Sequence, residues 1–166
     1  LNLRQRIKLG AAGKVISSFD IARLMALGAD WCNAARGFMF ALGCIQAQAC
    51  HTGHCPTGVT TQDPQRMKAL VVQTKAERVW RLHDQTLDAL KEMVQAAGLK
   101  HPNEITARHI VRRTGEQEVK LLINLLPFVK PGSLLAAMHG EADWPHNVYR
   151  VYWPQSSSQT WQIVSP

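Results

Sequence analysis

Two strand-then-helix units stand at the head of this 166-residue chain, and no third can be counted behind them. RIKLGAA is a short apolar-leaning run that ends at Gly13, and SSFDIARLMALG then sets Phe19, Ala22, Met25 and Ala26 at the spacing of one helix face. Ser17, three residues before Asp20, has the pattern of a capping box, and Gly28 stands where a helix takes its C-terminal glycine. ADWCNAA follows, short and largely apolar as expected of a parallel strand covered on both faces, and runs through Arg36-Gly37 into the helical stretch FMFALGCIQA. The order is β-α-β-α.

A complete eight-stranded (β/α) barrel takes about 250 residues. Two units in 166 residues therefore predict an α/β chain that is the C-terminal part of a (β/α)8 TIM barrel, its last two strand–helix units followed by C-terminal helices. Residues 1–64 hold those units and a cysteine-bearing loop. Asp63-Pro64 is a punctuating turn with Asp as cap and Pro at the first helical position. Residues 65–132 read as a helical segment. Val79, Leu82, Thr86, Leu90, Met93 and Ala97 keep helical spacing up to Gly98, and their stripe is most simply core contact. HPNEITARHIVRR and EVKLLINLLPFV predict two further short helices before a stop at Pro131-Gly132. In the tail, 133–166, NVYRVYW alternates like a strand and PQSSSQT is polar enough for exposed, partly disordered loop.

Where a parallel strand ends in glycine and a helix begins at once, free backbone N–H groups and the positive helix end can hold a phosphate. Gly13 with Lys14, and Ala35-Arg36-Gly37, are the two places in this chain with that pattern. A tight turn is the plainer reading of each glycine alone.

Composition sorts the function classes. At 46% hydrophobic and 19% charged residues the chain reads as globular. No apolar run reaches the roughly 18 to 20 residues of a membrane-spanning helix, FMFALGCI being broken after eight. The net charge of +7 and pI near 9.6 raise the question of nucleic acid. Lys and Arg are spread from Arg4 to Arg150 and form no stripe interleaved with aromatics, which argues against it. A solvated basic surface with a mild pull on anionic substrates is the expectation. Four cysteines are too few for a small secreted disulfide scaffold, which favours reduced thiols and a cytoplasmic setting.

Three of those cysteines fall within twelve positions of GCIQAQACHTGHCPTGVTTQ, residues 43–62. Five residues separate Cys44 from Cys50 and four separate Cys50 from Cys55. A helix aligns residues three or four apart, so this spacing needs a looped cradle, and Gly53, Pro56 and Gly58 supply the freedom. Zinc ribbons use pairs two to four residues apart, which are absent here. A zinc site of these three cysteines, completed by His51, His54 or Cys32, nevertheless stays open. So do an iron–sulfur centre with three protein ligands and a set of unliganded thiols. The zinc case makes the chain a metal-stabilised helical interaction module, a different class from an enzyme.

The cysteine spacing together with the CPTGV-TQ ending resembles the iron–sulfur loop of the FMN-binding domain of glutamate synthases. The resemblance extends upstream through GAAGKVISSFDIARLMALGADWCNAARGFMFALGC. It is closest to shorter glutamate-synthase-like proteins without a fused glutaminase, in which NAARGFM and KAERVWRLH are familiar wording. The resemblance implies that Cys44, Cys50 and Cys55 ligate a 3Fe-4S cluster beside FMN. It implies that Gly13 lies near the flavin phosphate, although Lys14 stands where the large glutamate synthases carry a second glycine, and Ala35 and Arg36 where they carry Gly and Thr. Phosphate binding would then rest on backbone N–H groups of Gly13, Lys14, Ala35, Arg36 and Gly37, helped by the Arg36 charge.

The implied activity is an oxidoreductase of glutamate synthesis: reductive amination of 2-oxoglutarate with ammonia, or with ammonia derived from glutamine, fed by an electron-donor protein or reductase subunit. No catalytic residue can be assigned, and no N-terminal nucleophilic cysteine is present for the ammonia-releasing step. The expectation is a fragment of an enzyme, inactive alone, its two strands exposing edges that the rest of a barrel would close.

Overall fold

The computed structural model describes residues 1–155. Its contacts divide the chain into one unit of Leu9–Ile110 and a second that joins residues 1–8 to the residues from Val111 onward.

The first unit is organised by the cap that the sequence predicts. Ser17 Oγ accepts the Asp20 N–H at 3.3 Å while Asp20 Oδ2 accepts the Ser17 N–H at 2.9 Å, so the orphan donors of the first turn are satisfied reciprocally. Helix α1 runs from there over Ser18–Ala26 and ends where Gly28 takes the left-handed φ of +106°. It connects strand β1, Gly10–Ala12, to strand β2, Trp31–Asn33. The strands pair in parallel, Gly10 opposite Trp31, Ala11 opposite Cys32 and Ala12 opposite Asn33. A side chain at position 10 would meet the Trp31 indole at 2.6 Å, which accounts for the glycine.

Helix α2, Arg36–Leu42, leaves β2 and stops at Gly43, φ +107°. A single turn, α3, spans Pro64–Met67 with Asp63 Oδ1 accepting the Gln65 N–H at 2.8 Å, as the Asp-Pro pair predicts. Helix α4, Val72–Ala96, packs against both α1 and α2. Its inward stripe carries the predicted Leu90, joined by Val94, both buried, and meets Ala22, Met25 and Ala26 of α1 in a core completed by Val15, Ile105, Ala107 and Ile110. Ser18, the buried polar residue at that contact, donates to the Thr86 carbonyl at 2.9 Å. Phe38 of α2 faces His83 of α4 with ring centroids 6.3 Å apart.

Several expectations for this unit need correction. Phe19 is 50% exposed, because the buried stripe of α1 runs Ser18, Ala22, Met25, Ala26 and one further residue turns the chain by about 100° off it. Ala97 likewise lies outside the buried stripe of α4. The helix expected through FMFALGCIQA stops at Leu42, since Gly43 adopts the left-handed cap. The strands are not covered on both faces: Gly10, Ala12, Trp31 and Asn33 are exposed in the described chain.

In the second unit, an antiparallel hairpin and short turns replace the predicted helices. Strand β3, Val111–Arg113, pairs with β4, Val119–Leu121, in the register Val111 opposite Leu121. The Thr114 N–H donates to the Glu118 carbonyl at 3.0 Å and its hydroxyl to the Glu118 carboxylate at 2.7 Å, which closes the turn around Gly115. The helical reading of 65–132 therefore ends with α4, apart from isolated 3-10 turns at Pro102–Glu104 and Leu122–Asn124. Pro131-Gly132 starts a helix where a stop was expected: Gly132, φ +81°, caps α5, Ser133–Met138. NVYRVYW is helix α6, Asn147–Tyr152, not a strand, because His146 Nδ1 accepts the Val148 N–H at 3.2 Å and caps the first turn. The exposed loop predicted for PQSSSQT falls, from Ser156 on, outside the described residues, as does the rest of the tail. Among the described residues no helix is long and apolar enough to cross a membrane.

Candidate functional site

Once Gly43 has ended α2, residues 44–62 contain neither helix nor strand, as the cysteine spacing requires. The segment is held in shape by threonines. Thr52 Oγ1 donates to the Ala49 carbonyl at 2.9 Å and accepts the His54 N–H at 3.2 Å, and Thr61 Oγ1 donates to the Gly53 carbonyl. Arg66, which also pairs with Asp63 at 3.4 Å, reaches from α3 to the His54 carbonyl at 3.2 Å. Gly58 is buried with φ +79° and lies so close to α3 that a methyl group there would fall 2.4 Å from the Arg66 carbonyl oxygen.

This fold brings Cys44, Cys50 and Cys55 to the wall of one small hollow, with Met39, Ile45, Pro56 and Val59 as its apolar lining. All three are free thiols, Cys50 exposed and the others half-buried. Among the described residues no group of three or more His, Cys, Asp or Glu side chains is arranged to hold a metal ion. The three cysteines share the border of one space. His51, His54 and Cys32, the residues from which a zinc site would take its fourth ligand, do not line it. Cys32 lies instead among Val15, Ile21, Phe38 and Leu82, where burial pushes its thiol up.

Cys55 differs. The Thr57 hydroxyl, 3.5 Å from its sulfur, followed by the backbone N–H and nearby hydroxyl of Thr60 and by the Thr57 N–H, brings its thiol down to about 6. By distance and angle Thr60 Oγ1 makes no hydrogen bond to anything, so its effect on Cys55 is that of a nearby dipole and not of a formed bond. That oxygen is nevertheless buried, on a residue that borders the same hollow. Three cysteines around one space, with an unpartnered buried hydroxyl on a neighbouring residue, make a donor set suited to a sulfur-ligated inorganic centre. Thr57 and Thr60 did not stand out from sequence. Their only signal was the run CPTGVTT, in which two hydroxyls follow a cysteine by two and five positions.

The other predicted residues gather around the ends of the two strands. Gly13 and Lys14 both have positive φ, +96° and +55°. Lys14 thus holds the conformation glycine enters without penalty. Ala35 and Arg36 are exposed at the start of α2, whose first turn no side chain caps. Gly37 is buried there, and a Cβ on it would stand 3.4 Å from the Ile16 carbonyl oxygen, so the first turn of α2 lies close to the loop after β1. Gly13, Lys14, Ala35 and Arg36 are open to solvent.

Comparison with known proteins completes these observations. Residues 1–100 match the family model described as a conserved region in glutamate synthase. The chain is similar to the glutamate synthase large subunit-like protein YerD of Bacillus subtilis, at 40% identity over 124 residues, 75% of this chain and 24% of that protein. It is similar to an archaeal glutamate synthase [NADPH] of Methanocaldococcus jannaschii at 34% identity, over 72% of this chain and 24% of the relative. It is also similar to the glutamate synthase [NADPH] large chain of Azospirillum brasilense at 31% identity, over 78% of this chain and 9% of the relative. The chain spans about a quarter of the length of the first two.

Proposed function

The chain belongs to the glutamate synthase family, and from that premise we propose that it forms part of an FMN- and iron–sulfur-dependent oxidoreductase that makes glutamate by reductive amination of 2-oxoglutarate. The observation that carries the reading is the common hollow bordered by Cys44, Cys50 and Cys55. Cys44, Cys50 and Cys55 would give an iron–sulfur cluster three thiolate ligands from one loop of this chain. When bound, FMN and the 3Fe-4S cluster would supply hydride and single-electron transfer to a reaction whose other components are 2-oxoglutarate and ammonia, free or glutamine-derived.

The residues of this chain would act as holders. Cys55, already favoured as a thiolate near neutral pH, and the thiolates of Cys44 and Cys50 would ligate the cluster. The N–H groups of Gly13, Lys14, Ala35, Arg36 and Gly37, with the cationic Lys14 and Arg36 side chains, would bind the flavin phosphate where the two strand-end loops adjoin. Free thiols and a redox centre suit a reducing, cytoplasmic compartment and an electron-donor protein or reductase subunit as partner. The barrel setting of the two strands belongs to the same proposal.

Metal, acid-labile sulfide and flavin analysis of the anaerobically purified full-length protein, with electron paramagnetic resonance, tests it. Three irons, matching sulfide and one FMN per chain are expected. Stoichiometric zinc without iron overturns the reading in favour of a metal-stabilised interaction module.

A further inference from the structure

The threonines beside the cysteines carry an inference that rests on the iron–sulfur reading above. Hydroxyls in a tight loop ordinarily bond to nearby backbone, and most in this part of the chain do: Thr52 to the Ala49 carbonyl, Thr61 to the Gly53 carbonyl, Thr86 to the Leu82 carbonyl. Thr60 does not. Its Oγ1 is the one buried side-chain oxygen or nitrogen without a partner among the described residues. Thr60 is one of the residues around the hollow shared by Cys44, Cys50 and Cys55, its side chain close enough to Cys55 to act on that thiol, and Thr57, whose hydroxyl stands 3.5 Å from the Cys55 sulfur, borders the hollow too. A buried donor without an acceptor is disfavoured unless something arrives to accept from it.

We propose that the Thr60 hydroxyl, seconded by that of Thr57, donates hydrogen bonds to sulfur of the centre held by Cys44, Cys50 and Cys55, and so raises that centre's reduction potential. Sulfur gains negative charge when the centre accepts an electron. A donor aimed at it therefore stabilises the reduced form more than the oxidised one. Thr60 touches neither substrate nor flavin in this account; it is a positioning residue that sets the driving force of electron transfer.

The competing explanation is steric, with Thr60 present for its methyl group. Thr60→Val keeps the shape and removes the hydroxyl, whereas Thr60→Ser keeps the hydroxyl and removes the methyl. The midpoint potential of the cluster is measured by redox titration followed by electron paramagnetic resonance on the full-length protein. Thr60→Val is expected to disfavour one-electron reduction about tenfold, about 59 mV lower, with Thr60→Ser close to the parent. A Thr60→Val potential equal to the parent's overturns the proposal and leaves the cluster assignment standing. If Thr60→Val assembles no cluster, iron and sulfide in Thr60→Ser decide. Full loading at the parent potential supports the hydroxyl, and failure of the serine variant as well refutes it. A parent protein without iron and sulfide removes the cluster reading itself, and this inference with it.

Discussion

Gly58 and Gly53 offer a paired test of how the cysteine loop is built. Both have left-handed φ, +79° and +75°. Alanine in that conformation costs roughly 1–2 kcal/mol. The surroundings then separate them. At Gly53 an added Cβ finds nothing within 4 Å, whereas at Gly58 it meets the Arg66 carbonyl oxygen at 2.4 Å, the Arg66 carbonyl carbon at 3.1 Å and Met67 Cα at 3.3 Å. These are backbone atoms of α3, anchored by the Asp63 cap, so they cannot swing aside as a side-chain tip would. Relieving the clash by shifting the loop or α3 adds about 1–3 kcal/mol. Gly58→Ala is thus expected to cost about 2–5 kcal/mol and Gly53→Ala only the backbone part. Urea unfolding of the full-length protein, followed by the far-ultraviolet signal and by iron content, measures both. Equal unfolding free energies would show that the Gly58 contact with α3 carries no constraint, and the account of the loop's shape would fall with it.

Four further outcomes follow from the same unit. Ser17→Ala removes the reciprocal cap of α1 and should lower unfolding free energy by about 1 kcal/mol, with Ser17→Asp retaining most of it. Asp20 is held below its ordinary value, first by the Ser17 N–H and then by the Ser17 hydroxyl. A depressed carboxylate stabilises the fold above its unfolded value and loses that contribution as pH falls through the folded one. The stability gap between the parent and Asp20→Asn should therefore be full above about pH 5 and shrink steadily below about pH 4; a gap unchanged across that range refutes the cap's electrostatic share. Ser18→Ala deletes the bond to the Thr86 carbonyl and should cost about 1 kcal/mol, read from thermal unfolding. Leu90→Ala opens the core beneath α1 and should cost about 2–5 kcal/mol, with no change in iron content if the cysteine loop is independent of that packing.

How far the fold could be read in advance depended on the range of each signal. The Ser17–Asp20 box and the Asp63-Pro64 cap are patterns of residues within one turn of each other, and each formed as predicted, whereas the α4 stripe held at Leu90, gained Val94 and lost Ala97. The hairpin of Val111–Arg113 and Val119–Leu121 was hidden because the apolar run LLINLL fits a helical period as well as a strand, and the deciding Thr114–Glu118 bonds close a turn that periodicity does not weigh. Alternation in NVYRVYW suggests a strand, but a six-residue segment with a histidine cap and no strand paired to it among the described residues forms a helix. At the site, Gly53, Pro56 and Gly58 announced a loop around three thiols. Thr60 was invisible because its distinction is burial without a partner, which no spacing encodes.

Helix α2 works as a gauge block. Its seven residues begin at the strand-end loops and end beside Cys44, and at about 1.5 Å per residue they fix a rod of about 10 Å between the two places. Gly37, close to the Ile16 backbone, stands at one end of the rod, and the left-handed turn at Gly43 sets the heading at the other. Lengthening α2 by a single residue would carry Cys44 about 1.5 Å further and rotate it by about 100°, so separation and bearing would go wrong together. Tolerance for insertions should accordingly be lower within these seven positions than in the longer loop that follows them.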